Sequence, residues 1–144
     1  MAEVKFRVSA NLIGKFTVEG KIRKHTLTLD EPADLGGDDK GPNPVELILL
    51  AQAGCILMVG RVVAMEMGIT INSFKVDVVG VLNPEKFMGK PTEDRAGFKE
   101  ITLKVYIDAD ADKDTLKKWL TTVEERCPVK DNLVNHTPVK VELA

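Results

Sequence analysis

Residues 41–68 read GPNPVELILLAQAGCILMVGRVVAMEMG and predict one long helix. Asn43 is a favoured N-cap residue, and Pro44 suits the first helical position. Glu46, three residues after Asn43, completes a capping box. Gly68 is a typical stop signal at the other end. The sequence therefore predicts a helix from about Pro44 to Met67.

The predicted helix is apolar on nearly all its faces. Between Leu47 and Gly60 only Gln52 is polar, and a helix of this kind is central rather than peripheral. We expect it to be too short and too interrupted to span a membrane, which takes about 20 apolar residues. One small sheet and one other helix cover such a helix poorly. This favours a homo-oligomer in which the helix packs against its copy, although a monomer with a well-covered helix remains open.

Segments of alternating apolar and polar residues surround this helix and predict antiparallel strands. They lie at about residues 4–8, 12–19, 22–29, 74–78, 101–107 and 139–143. A second helix is predicted from about Lys113 to Arg126, with Asp112 as N-cap. This order of elements indicates an α+β fold in a single domain, residues 1–144.

Length and composition exclude several classes of protein. A chain of 144 residues buries enough surface to fold without a disulfide or metal. A net charge of −2 and an aromatic content of 5% argue against nucleic-acid binding. Two cysteines make no disulfide framework, and the N-terminus does not resemble a secretory signal. We therefore expect a cytoplasmic protein with no membrane partner and reduced thiols.

The two cysteines are the main candidates for chemistry. Cys55 lies within the first helix, and Cys127 continues the apolar stripe of the second helix at spacings of three and four residues. Both thiols are thus predicted to point inward, where a free cysteine usually packs as a small hydrophobe. The functional alternative requires the sulfurs to meet, which spacing cannot show. No metal or cofactor site is predicted, because His25 and His136 lack zinc-ligand spacing relative to the cysteines.

Two motifs carry a family resemblance. Residues 30–55, DEPADLGGDDKGPNPVELILLAQAGC, and the CPV at residues 127–129 resemble the paired signatures of the OsmC/Ohr family. This family is named for osmotically inducible protein C and organic hydroperoxide resistance. The resemblance implies an α+β fold in an intertwined homodimer, with antiparallel sheets wrapped around central apolar helices and active sites at the subunit interface.

The resemblance also implies a reaction. Cys55 would be the peroxidatic cysteine of an organic hydroperoxide reductase and would become a sulfenic acid. Cys127 would resolve it as a disulfide, which a dithiol reductant would then reduce. The alternative is a non-enzymatic protein that binds a small hydrophobic ligand at the dimer interface, with cysteines that only pack.

The activating groups of the family have no clear counterpart. Well-studied members carry a glutamate ten residues before the peroxidatic cysteine, where this chain has Val45. Glu46 is on the opposite helix face from Cys55, nine residues away. The loop at residues 30–44 contains no arginine. Three other cationic residues match no motif position: Arg23, Lys24 and Arg95. Only the two cysteines are carried over, and we expect weaker or differently activated peroxide reduction.

Overall fold

A computed structural model describes residues 2–144 of the chain. The elements are β1 Ser9–Leu12, β2 Val18–Ile22, β3 His25–Leu29, a 3-10 turn Ala33–Leu35, α1 Pro44–Met67, β4 Ile71–Val81, β5 Glu100–Ala109, α2 Lys113–Arg126 and α3 Pro128–Val134. Both sheets are antiparallel. The predicted α+β class is therefore confirmed. The chain forms two compact units, Met1–Ile48 and Leu49–Ala144, called the first and second unit below. The single domain stays a prediction.

The first unit is built on a three-stranded sheet in the order β1-β2-β3. Beside it, the buried carboxylate of Asp30 accepts a hydrogen bond from the Thr17 hydroxyl at 2.8 Å. The backbone N–H groups of Glu31 and Lys40 also donate to Asp30. Burial opposes ionisation, but these hydrogen bonds outweigh it and lower the pKa of Asp30. The carboxylate therefore anchors the loop that leads toward α1.

The second unit contains the main hydrophobic core. The two long strands β4 and β5 pair along their whole length and contribute partly buried apolar side chains to it. Trp119 of α2 is almost wholly buried, and its indole N–H donates to the Gly60 carbonyl at 2.9 Å. Its ring meets Phe74 of β4 edge-on, with centroids 5.2 Å apart. The buried members of the core are Ile56, Val63, Ala64, Ile69, Trp119, Val123 and Cys127.

Helix α1 begins as predicted. The Asn43 N–H donates to Glu46 Oε1, and the Glu46 N–H donates to Asn43 Oδ1, both at 2.9 Å. The helix is followed by Gly68 with φ of 68°, a left-handed conformation that glycine adopts without a steric penalty. The capping box and the C-terminal stop are therefore both confirmed.

The expectation that α1 is too short for a membrane is wrong on length and composition. The helix has 24 residues and a mean hydropathy of 2.1 in its most apolar window. A core helix of a soluble protein can be equally long and apolar, and α1 supplies several core residues of the second unit. Four large side chains on its other face are nevertheless exposed and are called the exposed α1 stripe below: Leu50, Met58, Val62 and Met65.

Several predicted strands are wrong or misplaced. Residues 4–8 and 139–143 form no strand, and residues 13–17 connect β1 to β2 instead of continuing a strand. A strand needs a hydrogen-bonding neighbour, whereas alternation only shows that a segment suits a half-buried sheet. The apolar side chains of both terminal segments are exposed, with Phe6 at 91%.

Helix α3 was not predicted. The sequence predicts that the second helix ends at about Arg126, and α2 does end there. However, Pro128 then occupies the first position of a new helix, for which proline is suited. A single proline thus ends one helix and begins the next.

Candidate functional site

The structure brings the two predicted cysteines together in the second unit. Cys55 Sγ, on α1, and Cys127 Sγ, between α2 and α3, lie 2.9 Å apart. Both are free thiols; Cys127 is only 1% exposed, and Cys55 is half-buried. The sulfurs are therefore within reach of each other, which the sequence spacing left open.

The junction of two helices holds Cys127 in place. Trp119, Val123 and Cys127 follow one another at intervals of four residues and are all buried in the core. Cys127 is also the N-cap of α3, where its Sγ accepts a hydrogen bond from the Lys130 N–H at 3.4 Å. This capping role of the CPV motif was not predicted from the sequence. The sequence does carry a signal for it, because a side chain that can accept a hydrogen bond stands immediately before a proline, which suits the first helical position.

The surroundings of Cys55 oppose its ionisation overall. Burial raises the pKa of the Cys55 thiol, and its hydrogen bond with Cys127 raises it further. The backbone N–H of Val129, in the first turn of α3, acts in the opposite direction but does not outweigh them. Within residues 2–144, no lysine, arginine or histidine side chain forms a hydrogen bond with either sulfur. The chain by itself therefore favours the protonated thiol.

The other residues considered from the sequence are scattered. Arg23 and Lys24 form the exposed turn between β2 and β3 in the first unit. Arg95 lies in the second unit, in the connection from β4 to β5, and borders a cavity that does not include Cys55. Val45 is half-buried in the first turn of α1. Across residues 2–144 no three His, Cys, Asp or Glu side chains are placed to hold a metal ion.

Comparison with known families matches most of the chain to one family. Residues 37–142 match the family model described as OsmC-like protein. The chain belongs to the OsmC-like family. The match includes both cysteines and nearly the whole second unit of this OsmC-like protein.

Individual relatives support the same assignment. The chain is 22% identical to a hydroperoxide reductase of Mycoplasma genitalium over 141 residues, which cover 97% of this chain and 94% of the relative. An OsmC-like protein of Mycoplasma pneumoniae superimposes with a TM-score of 0.79 and 26% identity, over 92% of this chain and 89% of the other. An organic hydroperoxide resistance protein of Legionella pneumophila shares the fold, with a TM-score of 0.69, 21% identity and coverages of 93% and 92%. The predicted OsmC-like fold is thus confirmed.

Proposed function

We propose that this OsmC-like protein reduces organic hydroperoxides with Cys55 and Cys127. The observation that carries the proposal is the 2.9 Å approach of the two free thiols. The family assignment and the hydroperoxide reductase of Mycoplasma genitalium support a peroxide-related redox role.

The difference in exposure supports the proposed roles of the two cysteines. Cys55 is half-buried and Cys127 is fully buried, so a peroxide in solvent meets the Cys55 sulfur first. The Cys55 thiol loses its proton, and the thiolate attacks the peroxide oxygen and breaks the O–O bond. The departing alkoxide takes up that proton and leaves as the alcohol. Cys55 is then a sulfenic acid, which the Cys127 sulfur attacks to release water and form a disulfide. The net reaction consumes one hydroperoxide and two thiols and gives an alcohol, water and one disulfide.

The proposal includes the partners and the location of the protein. A dithiol reductant regenerates both thiols by exchange with the disulfide. A reducing cytoplasm keeps the resting cysteines free. The protein acts as a homodimer, and the exposed α1 stripe supports a subunit contact on this helix.

Stoichiometric oxidation tests the proposal. The reduced protein is mixed with one equivalent of cumene hydroperoxide, and its mass is followed over time. We expect the loss of two hydrogens and a Cys55–Cys127 peptide after digestion. Cys55→Ser should show no such change, whereas Cys127→Ser should accumulate a sulfenic acid that dimedone traps. If both thiols persist under excess hydroperoxide, the proposal is overturned and the ligand-binding alternative gains support.

A further inference from the structure

We propose that a cavity inside the second unit binds a small carboxylate with an apolar chain. At the end opposite the carboxylate, this ligand carries a hydroxyl or N–H donor. The cavity has a volume of about 330 Å³ and lies among α1, β5, α2, α3 and the connection before β5. This volume is at the lower end of the range for small-molecule sites, roughly 300–1,000 Å³. At about 30 Å³ per water-sized group, it accommodates roughly ten non-hydrogen atoms.

The donor is inferred from Gln52. This side chain lines the cavity, is only 2% exposed, and leaves its Oε1 without a hydrogen-bond partner. It is the one buried side-chain oxygen or nitrogen of residues 2–144 in that condition. A buried acceptor without a partner costs stability, and nearly all such atoms in folded proteins are paired. A ligand that donates a hydrogen bond to Gln52 Oε1 removes that cost.

The apolar body and the carboxylate are inferred from the remaining walls. Ile56, Leu103 and Leu120 give the cavity an apolar interior.

Lys99 and Lys130 also line the cavity, but their charges are engaged by Asp94 at 2.8 Å and Glu124 at 2.9 Å. Arg95, exposed at the cavity, has no ion pair within residues 2–144. Its guanidinium is therefore free to bind a carboxylate, for which its geometry is suited.

This cavity is separate from the surface proposed for the dimer. At 100° per residue, Gln52 and Ile56 lie within about 40° of each other around α1. The exposed α1 stripe is centred roughly on the opposite side of the helix. Cys55 does not line the cavity. The inference therefore rests neither on the peroxide chemistry nor on a second copy of the chain.

The test compares three linear ligands by isothermal titration calorimetry on the reduced full-length protein. The ligand 8-hydroxyoctanoate carries both polar ends, octanoate lacks the hydroxyl, and 1,8-octanediol lacks the carboxylate. We expect 8-hydroxyoctanoate to bind about tenfold more tightly than either of the others. Equal affinities of the three ligands, or no binding of any of them at millimolar concentration, would overturn the proposal. This test uses the wild-type protein alone.

Two variants assign each end of the ligand. Gln52→Leu keeps the approximate shape of the side chain and should abolish the preference over octanoate. Arg95→Met should abolish the preference over the diol, whereas Lys86→Met, in an exposed turn outside the cavity, should leave both preferences unchanged. Preferences that survive both cavity substitutions would place the ligand elsewhere and contradict the inference. Binding should persist in Cys55→Ser, so a failed peroxidase test leaves this result interpretable.

Discussion

Two opposing effects act on the sulfur of Cys55. Burial and the contact with Cys127 favour the thiol, and the Val129 N–H favours the thiolate. The thiolate is the form that attacks a peroxide, so the balance between them limits the rate. The balance lies on the side of the thiol. We therefore expect the isolated chain to be a slow nucleophile at neutral pH.

The pH dependence of alkylation tests this expectation at the level of one residue. A raised pKa means a smaller thiolate fraction at pH 7, so the rate of Cys55 alkylation by iodoacetamide should increase through and beyond pH 8.5, about the ordinary cysteine value. Peptide mass spectrometry measures the rate at Cys55 alone. In Cys127→Ala the midpoint should move down, because the hydrogen bond that raises the pKa is removed. A midpoint below about 8.5 in the wild type would contradict a raised pKa at Cys55.

Elements with local determinants were predictable from the sequence. Each end of α1 is determined by a few residues that are close together in the sequence. At the first end, the predicted Asn43–Glu46 pair is present. The bounds of α2 agree for the same reason, since the Asp112 carboxylate caps the Thr115 N–H. Cys127 also lies in the core as its spacing indicated.

Elements that depend on distant partners were not predictable. Whether residues 4–8 form a strand depends on which strand lies beside them, and no periodicity encodes that choice. The distance between the sulfurs depends on how α2 packs on α1, and the two cysteines are 72 positions apart in the chain. The cavity is also non-local. From the sequence, Gln52 was only an interruption in an apolar run; the structure shows that its Oε1 has no partner.

The packing of α2 on α1 gives a prediction at the level of elements. A Cβ added at Gly60 would lie 2.6 Å from the Phe74 ring and 2.8 Å from the Trp119 ring. Alanine gains about 1 kcal/mol of helix propensity over glycine, but overpacking a filled core costs about 1–3 kcal/mol. Gly60→Ala should therefore lower the free energy of unfolding, measured with urea, by up to about 2 kcal/mol.

A double variant tests the cause of this loss. Trp119→Phe removes the indole ring atom that would meet the new methyl group. In that background, Gly60→Ala should lower the free energy of unfolding by less than in the wild type, because the effects of substitutions at residues in contact are not additive. Equal stability of Gly60→Ala and wild type would show that the close approach is relieved without cost.

At the level of the whole molecule, the chain leaves several apolar segments exposed to solvent. The exposed α1 stripe lies on a helix whose other side is buried, and both terminal segments present apolar side chains at alternate positions to solvent. Contiguous exposed apolar surface typically marks an interaction site. A second copy is the simplest occupant, since a helix stripe can pack on its own counterpart around a two-fold axis.

Met58 offers the sharpest test of this dimer. It is 74% exposed in the single chain, so Met58→Glu should leave the fold of the subunit intact. If α1 packs on its copy, the new carboxylates are buried without a partner, which the interface tolerates poorly. Light scattering after size exclusion should therefore give about twice 15.8 kDa for the wild type and 15.8 kDa for Met58→Glu. The matched control is Met88→Glu, an exposed methionine in the β4–β5 connection, which should remain dimeric. A monomeric wild type, or a dimeric Met58→Glu, would rule out pairing through this stripe.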